Sequence, residues 1–161
     1  MSEPFSSVIY VSYQLSGRHC VRIISKDLAR NFPEKYSGLS KLIVCRFDDF
    51  RHKVQEAHKS DAGLCLVVLD YIHDKDGKRA TEALLNDLHA VSQEVHKPLP
   101  KIAIHSVDGK EKVAQFIQHA KQQTPIKAIE NWSDALPFFP VIAHRILNVQ
   151  KESLPKQSPT P

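Results

Sequence analysis

Hydrophobic and polar positions divide the chain into two kinds of segment that alternate from residue 8 to residue 149. Short apolar runs rich in β-branched and aromatic residues predict strands, and longer segments with apolar residues every three or four positions predict helices. The predicted strands cover residues 8–13, 42–47, 64–69, 101–106 and 126–129. The predicted helices cover residues 18–32, 50–63, 80–95, 110–122 and 133–149.

The ends of these helices carry recognisable signals. Asp48 or Asp49 is a predicted cap for the second helix, which closes at Gly63. A polar loop, HDKDGK, precedes the third helix, and Ser133 is the predicted cap of the last one.

A strand and a helix follow each other five times without a hairpin signal. This order predicts one parallel five-stranded sheet covered by helices on both faces, which is a three-layer α/β/α domain. The run at 64–69 is apolar without alternation, which predicts a central strand. We expect one domain over residues 1–150 and a disordered tail over residues 151–161. Functional residues of such folds lie at the carboxyl ends of the strands.

The composition predicts an ordinary globular chain of the cytoplasm. Hydrophobic residues make up 42% and charged residues 25% of the 161 positions, as in typical folded domains. Lysine and arginine exceed aspartate and glutamate by only 22 to 18 and are spread along the chain, which disfavours nucleic-acid binding. Cys20, Cys45 and Cys65 lie in predicted helices or strands and lack metal-ligand spacing, which favours buried free thiols in a reducing compartment. The sequence shows neither a membrane-spanning apolar run nor a secretory signal pattern.

Polar residues end or follow every predicted strand, and these are the candidate pocket residues. They are Ser12, Tyr13, Asp48, Asp49, Asp70, His105, Ser106 and Glu130. Glycine-rich phosphate-binding motifs and histidine motifs of metal sites do not occur in the sequence, so the corresponding nucleotide and metal sites are disfavoured. His105 is interpreted either as an exposed or hydrogen-bonded loop histidine, or as a catalytic base or metal ligand.

The segment VVLDYIHDKDG, followed by a helix, is similar to the phosphoacceptor segment of bacterial response-regulator receiver domains, the CheY-like family. The resemblance in the order of strands and helices covers about residues 8–149 and implies a flavodoxin-like fold with a role in signalling. It places Asp70 on the phosphoacceptor aspartate and Ser106 on the hydroxyl residue that receivers use as a switch. The loop to Gly77 is one residue shorter than usual and lacks the usual proline.

Two positions depart from the receiver pattern. Receivers bind Mg²⁺ through an acidic pair at the end of the first strand and hold the phosphoryl group with a lysine at the end of the fifth. Ser12 with Tyr13 and Glu130 stand at these places, and Lys127 lies three residues early. Mg²⁺ requires carboxylate oxygens, and a phosphoryl group requires compensating positive charge. The resemblance therefore implies a pseudo-receiver that acts in signalling through protein binding, without a cofactor and without standard Mg²⁺-dependent phosphorylation.

The receiver family also indicates where a partner would bind. Its members use the face formed by the fourth helix, the fifth strand and the fifth helix for partner contacts and for homodimers. In this chain that face corresponds to residues 110–122 and 126–149.

Two other functions remain open at this point. In one, Asp70 is a functional phosphoacceptor, and Asp48 and Asp49 reach the pocket and bind Mg²⁺ together with it. The preferred interpretation of Asp48 and Asp49 is nevertheless a helix cap. The segment VIYVSYQ resembles the first strand of TIR domains, which act as scaffolds or cleave NAD, and Glu82 would then be their glutamate. The simplest interpretation of Asp70 is a turn cap at the end of a strand. Whether the chain is an enzyme is left undecided, with a binding role favoured.

Overall fold

The five predicted strands are present and form one sheet. A computed structural model of the chain describes residues 5–133 and 139–154. The strands are Ser7–Val11 (β1), Leu42–Cys45 (β2), Leu64–Asp70 (β3), Lys101–His105 (β4) and Glu130–Asn131 (β5). They lie in the order β2-β1-β3-β4-β5, and all neighbouring pairs are parallel. β3 is therefore central, as its unbroken apolar run predicts.

Helices connect the strands and cover both faces of the sheet. Those within the described residues are Leu15–Asn31 (α1), Pro33–Tyr36 (α2), Phe50–Lys59 (α3), Lys75–Glu94 (α4), Lys110–Gln123 (α5) and Phe139–Glu152 (α6). Short 3₁₀ turns cover Ser37–Lys41 and Phe47–Asp49.

Neighbouring residues of β1 show how the sheet separates two apolar layers, because successive side chains of a strand point to opposite faces. Val8 and Tyr10 pack with α1 and α6. Ile9 and Val11 pack with α3, α4 and α5. The arrangement is the three-layer α/β/α architecture of the flavodoxin-like fold, and it confirms the predicted fold class.

The third predicted helix begins five residues earlier than its apolar pattern indicates. α4 starts at Lys75, so most of the predicted polar loop forms its first turn. The Asp74 carboxylate caps this turn by accepting a hydrogen bond of 2.6 Å from the Gly77 N–H. A side chain at Gly77 would overlap the carbonyl oxygen of Ile72. The first turn is polar because it is exposed and capped, and for this reason it shows no helical pattern of apolar residues.

The fifth strand is shorter and later than predicted. The apolar pattern indicates residues 126–129, whereas β5 comprises only Glu130 and Asn131, which pair with Ala103 and Ile104 of β4. Ile126 is buried in the layer of α3, α4 and α5 without joining the sheet. Its burial, and not strand pairing, accounts for the apolar pattern.

The helix cap predicted at Asp48 or Asp49 is wrong, whereas the first turn that Ser133 was predicted to cap lies in residues 134–138, outside the described residues. The Ser133 hydroxyl accepts a hydrogen bond from the Ser106 N–H, just after β4. Asp49 occupies the position before α3, but its carboxylate makes no capping hydrogen bond and lies 3.3 Å from the Arg46 guanidinium. The 3₁₀ turn holds the Asp49 backbone in helical geometry, whereas a capping residue needs an extended backbone.

Some predicted boundaries also shift. α3 ends at Lys59, and Gly63 lies with φ +70° in the turn before β3. α6 continues to Glu152, while the remaining tail from residue 155 and the segment 134–138 lie outside the described residues. In the described ranges, no helix has the length and apolar character needed to cross a membrane.

Candidate functional site

Asp70 and Ser12 lie side by side at the carboxyl edge of the sheet. Asp70 ends β3 and Ser12 follows β1, and these two strands pair with Val11 opposite Leu69. The fully buried Ser12 hydroxyl donates a hydrogen bond of 2.8 Å to Oδ2 of the half-buried Asp70 carboxylate. The same hydroxyl oxygen accepts from the Gln14 N–H at 3.2 Å. A neutral hydroxyl therefore holds Asp70 where a receiver would place an acidic pair.

The turn that carries Ser12 is fixed from within by an arginine. The buried Arg18 guanidinium donates to the carbonyl oxygens of Ser12 at 2.8 Å and Tyr13 at 3.0 Å. Gly17 brings the first turn of α1 close, since a side-chain carbon there would lie 3.4 Å from the Ser12 hydroxyl and 3.9 Å from Asp70 Oδ2. The positive charge of Arg18 thus stabilises the turn at backbone oxygens.

Tyr10 and His105 form a second buried contact next to Asp70. His105 lies opposite Asp70 in the β3–β4 ladder, and its Nε2 is 3.0 Å from the Tyr10 hydroxyl. Burial lowers the pKa of the His105 imidazole, while the negative charge of Asp70 partly opposes this shift. Burial and the charge of Asp70 also raise the pKa of Tyr10 well above its usual range. Both groups are therefore neutral near neutral pH.

The position of His105 differs from both of its sequence interpretations. It ends β4 and is not in a loop, and only 6% of its surface is exposed. Its Nδ1 is buried without a hydrogen-bond partner among the described residues. Its Nε2 faces the Tyr10 hydroxyl inside the core, and among the described residues the imidazole belongs to no group of three or more side chains that could hold a metal ion.

Ser106 belongs to a separate network of the loop after β4. Its hydroxyl donates to Oδ2 of Asp108 at 3.3 Å, and its N–H donates to the Ser133 hydroxyl at 3.0 Å. The same Asp108 oxygen accepts from the His73 N–H at 2.8 Å. Ser106 is thus directed to loop partners, and Ser133 stands after β5 near the place that Glu130 was expected to fill.

Three of the predicted pocket residues, Tyr13, Asp48 and Asp49, lie on the rim of the site around Asp70. Glu130 lies elsewhere. Tyr13 is 40% exposed and its ring contacts Phe47 with centroids 4.1 Å apart. Within the described residues, neither Asp48 nor Asp49 hydrogen-bonds to Asp70, and Asp48 is exposed in the 3₁₀ turn after β2. Over the described residues, Asp48 and Asp49 also do not form a metal-holding group with Asp70.

Glu130 is the residue that lies away from the rim. The fifth strand was predicted to end at residue 129, but β5 begins at Glu130. Glu130 lies level with Ala103, two residues before the end of β4, and its carboxylate is 3.2 Å from the Lys101 ammonium. Lys127 lies still earlier, and its ammonium donates to the carbonyl oxygens of Lys121 and Thr124. Neither residue reaches Asp70.

Glu82, the residue considered for NAD cleavage, also lies away from Asp70. It belongs to α4, and its carboxylate contacts the His119 imidazole of α5. The Asp70 carboxylate instead lies near Gly17 of α1, on the other face of the sheet.

The donor set around Asp70 does not fit Mg²⁺. The residues brought together are one carboxylate, one hydroxyl, one phenol and one buried imidazole, whereas Mg²⁺ is usually held by carboxylates in an octahedral oxygen shell. Over residues 5–133 and 139–154, no group of three or more histidine, cysteine or acidic residues is arranged to hold a metal ion.

Sequence reasoning overlooked four residues of the edge: Tyr10, Arg18, Asp108 and Ser133. Asp108 had a usable signal, because a serine followed two residues later by an aspartate after a strand is typical of a side-chain-stabilised turn. Ser133 was hidden by the misplaced end of strand five. Tyr10 has no local signal, because it lies in the middle of a strand and its partner is set by the β3–β4 register.

Comparison with models of known protein families gives no match, and comparison with curated protein sequences gives no significant match either.

Proposed function

We propose that the chain is a receiver-like signalling domain that acts by binding a protein partner and does not undergo Mg²⁺-dependent phosphorylation. The hydrogen bond of 2.8 Å from the Ser12 hydroxyl to the Asp70 carboxylate carries this proposal. In the receiver pattern this place is filled by carboxylates that hold Mg²⁺ beside the phosphoacceptor. A neutral hydroxyl that donates its proton to Asp70 does not supply the negative charge with which carboxylates hold that ion.

The distribution of positive charge supports the same proposal. A phosphoryl group on Asp70 would require a cation to compensate its charge. Asn131 ends β5, and the Lys127 ammonium is bound to backbone carbonyls before that strand. The Arg18 guanidinium is directed to the carbonyl oxygens of the β1–α1 turn. Neither Lys127 nor Arg18 therefore stands at the position where the receiver lysine acts.

The face formed by α5, β5 and α6 is the proposed partner surface. Because β5 has only two residues, the first residues of β4 pair with no strand on their outer side within the described ranges. A groove of about 550 Å³ lies there, between residues 99–102 and residues 126–130. Leu99 at its margin is 41% exposed. Apolar side chains beside an incomplete sheet edge favour contact with another protein.

Phosphorylation by a small phosphodonor tests the proposal directly. The full chain is incubated with Mg²⁺ and acetyl phosphate beside an ordinary receiver domain as a positive control, and the intact masses are measured. We expect a phosphoryl adduct on the control only. Stoichiometric phosphorylation of this chain that disappears in Asp70→Asn would instead establish Asp70 as a live phosphoacceptor.

A further inference from the structure

A groove of about 580 Å³ runs between α1 and the outer edge of β2. Basic side chains of α1 form one wall, and apolar side chains form the other wall and the floor. The residues that define it are Arg22, Lys26, Arg30, Leu39, Leu42 and Val44. The described lining contains neither an acidic nor an aromatic side chain.

The basic wall is a regular row. Arg22, Lys26 and Arg30 are four residues apart, so they lie on one face of α1. The helical rise of about 1.5 Å per residue separates them by about 6 Å along the groove. All three are exposed, and within the described residues none forms an ion pair with a carboxylate. The helix dipole accounts for a cation in the last turn, such as Arg30, but not for Arg22 in the middle of the helix.

The basic row lies beside the outer edge of β2. In the described part of the chain, no further strand pairs with this edge. β2 is the outermost strand, and the Cys45 carbonyl faces β1, where it accepts from the Ser12 N–H. Because successive backbone groups of a strand point to opposite sides, those of Val44 point outward. The Val44 carbonyl accepts a hydrogen bond of 3.0 Å from the Arg22 guanidinium. Arg22 of the basic row therefore reaches the backbone of the free edge.

We propose that this groove binds an extended acidic segment of a partner protein, which adds to the edge of β2. Side chains on one face of an extended strand repeat about every 6.6 Å, so carboxylates at alternate positions match the spacing of Arg22, Lys26 and Arg30. Arg22 then exchanges the Val44 carbonyl for a carboxylate, which is a stronger, charge-assisted acceptor. Backbone pairing supplies affinity, and the basic row selects the sequence.

Charge alone would also attract a nucleic acid, but the other features of the groove favour a peptide. Proteins that bind single strands place bases on aromatic side chains, and the described lining has no such side chain. The open edge of β2 instead presents backbone donors and acceptors that match the backbone of an extended peptide and not that of a nucleic acid. The groove lies at the opposite edge of the sheet from the proposed α5, β5 and α6 surface, so each proposal can fail without the other.

Two labelled peptides of equal composition test the inference by fluorescence anisotropy on the full chain at low salt. One alternates three glutamates with three valines, and the other has the three glutamates together. We expect the alternating peptide to bind more tightly and to be weakened by added salt. The double variant Lys26→Gln/Arg30→Gln should weaken its binding about tenfold. Lys75→Gln/Arg79→Gln on α4 makes the same charge change at the same spacing outside both proposed surfaces and should leave binding unchanged.

Several results would overturn the inference. They are an absence of binding, equal binding of the two peptides, equal effects of the two double variants, and displacement of the peptide by a short poly-thymidine oligonucleotide that binds more tightly. A further variant, Val44→Pro, removes an outward N–H at an edge position that tolerates proline. Unchanged binding by this variant, with its circular dichroism spectrum retained, would exclude pairing with β2.

Discussion

The carboxyl edge of the sheet has two halves that hold their polar groups in different ways. On the side of β1 and β3, the fully buried Ser12 hydroxyl binds the Asp70 carboxylate, next to the buried contact between Tyr10 and His105. On the side of β4 and β5, the Ser106 hydroxyl binds Asp108, an exposed residue of the following loop. The polar groups of the first half are hydrogen-bonded next to the core, whereas the Ser106 hydroxyl of the second half is hydrogen-bonded to a surface loop.

The difference supports the proposal that the matching positions of Asp70 and Ser106 do not form a phosphoryl-transfer site. In the receiver pattern, the aspartate of strand three and the hydroxyl of strand four act on one shared phosphoryl group. Here Asp70 and Ser106 each have a separate partner, Ser12 and Asp108, at 2.8 and 3.3 Å. The hydrogen bonds that hold Asp70 and Ser106 favour a fixed structure in each half.

Restoring an acid in the buried half should have the largest effect. Ser12→Asp places a second carboxylate beside Asp70 at a position without solvent exposure, and an uncompensated buried charge costs about 3–5 kcal/mol. We expect urea unfolding at pH 7 to show this loss, and millimolar Mg²⁺ to reverse part of it by binding the folded pair. Ser12→Asn, which adds no charge, should not respond to Mg²⁺. If Mg²⁺ also stabilised the unaltered chain, the half that contains Ser12 and Asp70 would already bind the ion. The contrast drawn between the two halves would then be wrong.

The buried half should also make stability depend on pH. Burial lowers the pKa of His105 in the folded chain, whereas the unfolded chain binds this proton below pH about 6.5. The unfolded state then holds more protons, so the free energy of unfolding falls as the pH is lowered from 7 to 5, by at most about 1.4 kcal/mol per pH unit for this group. His105→Gln keeps a partner for Tyr10 and should flatten the profile.

His58 is the matched control for this pH dependence, because burial also lowers its pKa at a site distant from the carboxyl edge. His58→Gln should remove a separate part of the slope, and the double variant should remove both parts. Equal profiles for the unaltered chain and His105→Gln would show that His105 titrates normally in the folded state.

The fold could be predicted from the sequence because burial leaves a periodic signal. The unbroken apolar run of β3 identified the central strand, and the helical repeats identified five of the helices. The periodic signal gave wrong boundaries where a helical turn is exposed and where a buried segment is not part of a strand. The first turn of α4 is helical but exposed, and residues 126–129 are partly buried but unpaired. Both errors have this single physical cause.

The site could be predicted only in part. Ser12 and Asp70 were expected at one edge because parallel strands end together, and the structure brings them into contact. The Tyr10–His105 contact depends on the register of three strands and on which face each side chain takes, and no local pattern gives either. Glu130 was misplaced because a strand end shifted by two residues moves a side chain about 7 Å along the sheet.

The smallest expected effect comes from removing a hydroxyl in the loop half. Ser106→Ala deletes the contact with Asp108, but the exposed Asp108 carboxylate returns to water and keeps the His73 N–H, so we expect a loss below about 1 kcal/mol. Ser12→Ala makes the same chemical change in the buried half and leaves a half-buried carboxylate without its donor, so the expected loss is about 1–3 kcal/mol. Urea unfolding of both variants at pH 7 measures this difference. Equal losses would show that the two halves are equally well held, because a hydroxyl then contributes the same stability beside the core as beside the loop.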